Sequence, residues 1–183
     1  GRLQTALVAG LIGILAVYII FSLTHLDATR YQPFAIGGFG SFITVTSMVF
    51  ISFGGLTKVF EVSEEIANPV RNVPLGLGIS FITVLVLYIF VAFVTVGVLS
   101  PEMLRGSLRP IAQGAEASMG PIGFYAMAVA ALLAYSTTGN AGILSASRSP
   151  MAMSRDGLAP GLLARIHPRW GTPAAAILLT TCL

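Results

Sequence analysis

Long apolar stretches separated by short polar segments dominate this chain. Four of them are long enough to hold about 20 residues of helix, the length that crosses the hydrocarbon core of a bilayer. They cover residues 6–23, 37–67, 75–99 and 121–147 approximately, and a fifth apolar stretch begins at Pro173. The pattern predicts an all-α integral membrane protein that crosses the bilayer several times.

The second apolar stretch is too long for one straight crossing, and small polar residues interrupt its centre. The interruption reads FISFGGLT over residues 50–57, with adjacent glycines at Gly54 and Gly55. In hydrocarbon, backbone groups that leave helical geometry must find partners, so an open turn at this depth indicates a lined cavity. We therefore predict a discontinuous helix, with halves at about 37–52 and 56–67. Broken helices of this kind form the binding sites of secondary transporters.

Composition excludes several classes of protein. Of the 183 residues, 55% are hydrophobic and only 9% are charged, whereas soluble domains carry about 25% charged residues. One cysteine excludes an internal disulfide bond, and the two histidines have no metal-ligand spacing. The net charge of +3 is too small to indicate nucleic acid as a partner. No nucleophile–base or metal constellation is visible, so we expect neither an enzyme nor a cofactor.

The ends of the chain suggest an internal piece of a larger protein. It begins with Gly1 rather than Met, and it stops at Leu183, about eleven residues into an apolar run. That run is too short to cross a bilayer, for which about 20 residues are needed. We accordingly expect one transmembrane unit over residues 1–183 and assign any function to the larger protein.

Basic residues predict the orientation, because Lys and Arg accumulate in cytoplasmic loops. If the crossings alternate, six arginines lie on one side and three on the other. The larger group is Arg2, Arg71, Arg148, Arg155, Arg165 and Arg169, and the smaller is Arg30, Arg105 and Arg109. The count places the amino-terminal end and the 148–169 loop in the cytoplasm.

Two phrases of the sequence resemble a known family. The first is FGGL at 53–56 followed by SEEIANPVRNVP at 63–74, and the second is STTGNA at 136–141 followed by SR at 147–148 and AMSRDGLAP at 152–160. Both resemble signatures of the amino acid–polyamine–organocation (APC) transporter superfamily, in its sixth helix and after its eighth. The resemblance implies a partial LeuT-like helical bundle that comprises helices five to eight and the start of nine.

The resemblance also implies a substrate site at the break. In such a break, backbone groups and the ends of the two half-helices offer partners to a zwitterionic or charged solute. The candidate substrate-binding residues are Phe50, Ser52, Phe53, Gly54, Gly55 and Thr57. Many family members carry an acid at the position of Thr57, so a cationic substrate is disfavoured. The alternative interpretation of the glycine pair is a kink or close helix packing.

Further polar residues inside the apolar stretches are candidates for ion coupling or gating: Lys58, Glu61, Ser136, Thr137, Asn140 and Arg148. Charged residues within membrane spans are expensive and often functional. Lys58 and Glu61 could instead neutralise each other three residues apart on one helix face. The hydroxyls and amide of the fourth span could equally make ordinary interhelical hydrogen bonds.

We therefore predict a multi-pass permease of the cell membrane, plasma or inner, that moves an amino acid or related amine by alternating access. A proton or sodium ion is the expected coupling partner, with exchange as the other mode, and the lipid bilayer surrounds the protein. One alternative is a transporter of the same fold for potassium or a metal ion. The others are a membrane-embedded enzyme and a structural membrane subunit, which would leave the glycine pair unexplained.

Overall fold

The described part of the chain is mostly helical, and no strand occurs in it. A computed structural model describes residues 2–32, 38–55, 59–60, 66–167 and 172–182. The helices are α1 (Arg2–Leu23), α2 (Gly38–Ser52), α3 (Pro69–Val98), α4 (Pro101–Gly106), α5 (Pro110–Met119), α6 (Pro121–Ala146), α7 (Arg148–Arg155) and α8 (Ala174–Cys182), with a 3₁₀ turn at Ala28–Tyr31. The predicted all-α class is confirmed.

Within the described residues, three helical segments are long and apolar enough to cross a membrane. They are Arg2–Leu23 with 22 residues, Pro69–Val98 with 30, and Pro121–Arg155 with 35. At 1.5 Å per residue, even the shortest exceeds the roughly 30 Å of bilayer hydrocarbon. Their mean hydropathy and low charge identify an integral membrane protein, as the sequence predicts.

The chain divides into two compact units, the first made of Gly1–Phe53 and Gly78–Thr137. Its core lies where α1, α3, α5 and α6 meet. The buried apolar side chains are Tyr18 from α1, Val91 and Val94 from α3, Ala115 from α5, and Met127 and Ala130 from α6. The short helix α5 therefore contributes to the interior of this unit and is not a surface connection.

Close backbone approach explains how α5 enters that core. Gly120 follows α5 with a positive φ of 71°, a conformation that glycine adopts without a steric penalty. Gly123, at the start of α6, then lies directly against the backbone of Ala115, where a Cβ atom would collide. The turn can therefore fold α6 back on α5 only with glycine at 123.

The second unit consists of Gly54–Leu77 and Thr138–Leu183. Its helix α7 ends in a Schellman motif. The Leu158 N–H donates to the Met153 carbonyl over 2.8 Å, and the Gly157 N–H donates to the Ser154 carbonyl over 3.3 Å. Gly157 has a φ of 76°, the left-handed conformation that this motif requires. The Arg-Asp-Gly phrase of the sequence is thus the carboxyl-terminal cap of α7.

Candidate functional site

The candidate site begins where α2 ends. This helix is 15 residues long, so it spans about 22 Å, less than the hydrocarbon thickness of about 30 Å. α-Helical geometry stops at Ser52, the Phe53 N–H bonds to the Phe50 carbonyl over 3.1 Å, and Gly54 and Gly55 adopt 3₁₀ geometry. The first half of the predicted discontinuous helix thus ends at Ser52, just before the glycine pair. Most of the predicted second half, residues 56–67, lies outside the described residues.

Space is open around both glycines of the break. A Cβ atom built on Gly54 or Gly55 would meet no heavy atom within 4 Å. Both interpretations of the glycine pair, a substrate site and a kink or close helix packing, stay predictions. The small residues leave the backbone of the break accessible, as binding of a solute by backbone groups requires.

An aromatic cluster fixes the last residue before the break. The Phe53 ring centroid lies 5.3 Å from that of Phe81 and 5.6 Å from that of Tyr88, with interplanar angles of 54° and 60°. Phe81 and Tyr88 are seven residues apart and therefore occupy one face of α3. Such tilted aromatic pairs are worth about 0.5–1.5 kcal/mol each beyond their buried area. Phe53 is consequently anchored to α3.

An apolar cavity of about 510 Å³ opens beside Phe53 in the first unit. Its walls come from the end of α2, from α3, and from the α4–α5 segment. The lining residues are Val49, Phe53, Leu85, Tyr88, Ile89, Val91, Ala92, Thr95, Val96, Leu104, Pro110 and Ile111. None of these side chains carries a charge, and burying an unpaired charge among them would be costly.

The other predicted residues of α2 differ in their surroundings. The Ser52 hydroxyl donates to the Met48 carbonyl of its own helix over 3.1 Å. Phe50 is 79% exposed. Thr57, Lys58 and Glu61 lie outside the described residues, so the structure does not address their predicted roles.

The polar residues predicted on α6 occur in both units. Thr137 belongs to the first unit and is buried, with its hydroxyl within 2.9 Å of the Leu133 and Ala134 carbonyls. Its own carbonyl accepts a hydrogen bond from the Gln4 side chain over 3.1 Å. Ser136 is exposed in the same unit. The Thr137 hydroxyl contacts lie within α6 itself, so the coupling roles of Ser136 and Thr137 stay predictions, as does interhelical hydrogen bonding.

In the second unit, Asn140 is exposed on α6 and Arg148 is the first residue of α7. The described residues contain no group of three or more His, Cys, Asp or Glu side chains arranged to hold a metal ion. Gating and coupling roles for Asn140 and Arg148 stay predictions.

Sequence reasoning missed the partners of Phe53. Phe81 and Tyr88 lie within a stretch where almost every residue is apolar, so nothing marked them individually. The available signal was their spacing of seven residues, which places two aromatic rings on one helix face. Which helix receives that face follows only from the tertiary structure.

Comparison with known proteins identifies the family. The family model described as amino acid permease matches residues 2–183. The branched-chain amino acid permease BcaP of Bacillus subtilis is 27% identical over 96% of this chain and 38% of its own length. The methylthioribose transporter of the same bacterium is 30% identical over 94% of the chain and 37% of its own length.

A plant protein, the chloroplastic cationic amino acid transporter 9 of Arabidopsis thaliana, is 31% identical over 85% of the chain and 27% of its own length. The chain thus spans less than two fifths of the length of these relatives. The match of the family model extends over both units of the structure. This chain belongs to the amino acid permease family, within the APC transporter superfamily.

Proposed function

We propose that the protein containing this chain is a secondary transporter of amino acids that works by alternating access and carries out no covalent chemistry. The observation that carries the proposal is the end of α2 at Ser52, followed by a glycine pair with open space around it. A helix of about 22 Å that starts near one membrane surface ends inside the hydrocarbon. Gly54 and Gly55 are both exposed, so the backbone at that depth is open to a polar solute.

The helix end favours one part of an amino acid in particular. The carboxyl terminus of a helix carries a partial negative charge, equivalent to about half an elementary charge, which attracts cations. We assign the α-ammonium group of the substrate to the end of α2. Phe50, Ser52, Phe53, Gly54, Gly55 and Thr57 form the proposed substrate-binding set of this chain.

The solutes named for three relatives support an amino acid as the substrate. Their names refer to branched-chain amino acids, methylthioribose and cationic amino acids. An α-amino acid is the solute class shared by the first and third names. For this chain the uncharged lining of the cavity beside Phe53 favours a substrate whose side chain is neutral.

We further propose that uptake is driven either by a proton gradient or by exchange for another amino acid. Lys58, Glu61, Ser136, Thr137, Asn140 and Arg148 are the candidate coupling or gating residues. Related proteins include vacuolar and chloroplastic transporters by name, and we propose the cell membrane for this one. Transport across that membrane would require no cofactor.

Uptake by the purified protein tests the proposal. The complete protein is reconstituted in proteoliposomes and offered a panel of radiolabelled amino acids, with and without a pH gradient or a sodium gradient. We expect uptake of at least one neutral amino acid above the level of empty liposomes, stimulated by an inward pH gradient or by unlabelled amino acid inside. Absence of uptake for every amino acid under all conditions would refute the proposal.

A further inference from the structure

One face of α1 carries polar contacts that join this helix to α3 and α5. The Tyr18 hydroxyl lies 2.9 Å from the Thr95 hydroxyl of α3, and the Ser22 hydroxyl lies 3.0 Å from the Ser118 hydroxyl of α5. Tyr18 and Ser22 are four residues apart and therefore share a helix face. We call Tyr18, Ser22, Thr95 and Ser118 the polar seam.

The seam is buried and its hydrogen bonds are directed. Tyr18 and Ser22 are 0% exposed, Thr95 is 5% and Ser118 is 8%. The Thr95 hydroxyl donates to the Val91 carbonyl, so it accepts from Tyr18. The Ser118 hydroxyl likewise donates to its own helix and accepts from Ser22. Separating the helices would strand these donors in a medium without water, which is costly.

A clip formed by residues 26–31 continues the same connection beyond the end of α1. Asp27 N–H donates to the Gly97 carbonyl over 3.1 Å, the Tyr31 hydroxyl donates to the Phe93 carbonyl over 2.9 Å, and the Arg30 side chain donates to the Val98 carbonyl. The Tyr31 and Phe93 rings also stack, with centroids 4.9 Å apart. The clip therefore covers the carboxyl-terminal end of α3.

Close packing reinforces the clip. Gly97 of α3 lies so near the side chains of Tyr31 and Leu26 that a Cβ atom would overlap both. Gly114 of α5 makes a similar approach to the Tyr18 hydroxyl, 2.5 Å from the position of a Cβ atom. α1 with its clip is therefore closely packed against α5 at Gly114 and against α3 at Gly97.

We propose that the carboxyl-terminal halves of α1 and α3, the 26–31 clip and α5 form one rigid body that does not separate during the transport cycle. The inference rests on the proposed transport function, since it states which helices move together. Alternating access proceeds largely through rigid-body motion of one group of helices against another. No access path would then open between α1 and α3 or between α1 and α5.

Cross-linking tests this inference directly. The variant Ser22→Cys/Ser118→Cys places two thiols where two hydroxyls now lie 3.0 Å apart, so oxidation can join them in a disulfide if their Cβ atoms have the usual spacing. It is prepared in the complete protein with the other cysteines replaced, and each single variant is the matched control. We expect the oxidised double variant to form the cross-link and to take up amino acid as fast as the oxidised single variants.

Two outcomes would overturn the inference: no cross-link on oxidation, or a cross-link that stops uptake until reductant restores it. Spin labels on the exposed residues Thr24 and Glu116 give a second readout that does not need transport. We expect the distance between the two labels to stay the same with and without substrate and gradient. A second population of distances would contradict a rigid body. If the unmodified protein takes up no amino acid, the transport proposal fails, while cross-linking and distances still decide whether the body is rigid.

Discussion

The ring of Phe53 packs against the ring of Tyr88 at a centroid distance of 5.6 Å. Phe53 is the residue between the last turn of α2 and the glycine pair, so this contact holds the start of the break against α3. Because α3 is a long apolar helix, we expect it to help to set the position of the break.

Removing the Phe53 ring should therefore weaken both the fold and transport. For Phe53→Ala we expect the free energy of unfolding to fall by about 2–4 kcal/mol, since two aromatic contacts and the buried ring area disappear. The apparent melting temperature of the detergent-solubilised protein and the KM for uptake measure the effects. Phe39→Ala removes a ring from the same helix that is 79% exposed, and it should change neither. Equal effects of the two variants would contradict the anchoring role of Phe53.

Enlarging Gly55 should stop transport without unfolding the protein. A Cβ at this position meets nothing within 4 Å, so Gly55→Leu has room for its side chain but would cover the backbone proposed to meet the substrate. We expect normal yield and melting temperature with uptake at background. Gly40→Leu is the control, because Gly40 lies on α2 with equally open surroundings. Undiminished uptake by Gly55→Leu would remove the break from the substrate site.

Gly157 should be sensitive to replacement because of its backbone conformation. Its φ of 76° lies in the left-handed region, where a side chain costs about 1–2 kcal/mol. Gly157→Ala should lower the melting temperature by a corresponding amount. Gly161→Ala, at a glycine without this conformation and with open space around it, should leave it unchanged. If Gly157→Ala had the same melting temperature as the unmodified protein, Gly157 would not be needed for its backbone conformation.

The clip of residues 26–31 should weaken in acid. Hydrogen bonds from the Thr29 side chain and N–H, and then the charge of Arg30, hold the pKa of Asp27 below its ordinary value of 3.8. The folded-state pKa is thus the lower one, so the stabilising contribution is complete above pH 3.8 and is lost as the pH falls through the lowered pKa.

The variant Asp27→Asn should consequently be less stable near neutral pH and lack this part of the acid sensitivity. Melting temperatures of both proteins, recorded from neutral pH down to about pH 3, should converge as the carboxylate of the unmodified protein becomes protonated. Glu102→Gln, which changes an exposed carboxyl group outside the clip, serves as control. Parallel curves for Asp27→Asn and the unmodified protein would exclude Asp27 as the cause.

The all-α membrane class and the end of α2 at Ser52 could be predicted from the sequence because both follow from local properties. Apolar length determines which segments cross a bilayer, and adjacent glycines mark a place where a helix is weak. The position of α5 could not be predicted in this way. The sequence of α5 is compatible with a helix, but its burial depends on contacts with other helices, such as the pairing of Ser22 with Ser118.

The candidate site, too, could be predicted only in part from the sequence. Phe53 was identified through its neighbours in the chain, whereas Phe81 and Tyr88 were not, since contacts between residues about 30 positions apart depend on which helix faces meet. The seam could not be predicted because Tyr18 and Ser22, four residues apart in the largely apolar α1, are a weak signal, and nothing in the sequence pairs them with Thr95 or Ser118.

Substrate protection of a thiol at the end of α2 tests the central claim most directly. Ser52→Cys is introduced into the complete protein, reconstituted in proteoliposomes, and treated with a membrane-impermeant thiol reagent in the presence or absence of transported amino acid. We expect modification to block uptake and the transported amino acid to slow modification in a saturable manner. A modification rate that no transported amino acid changes, with uptake intact after complete modification, would contradict it.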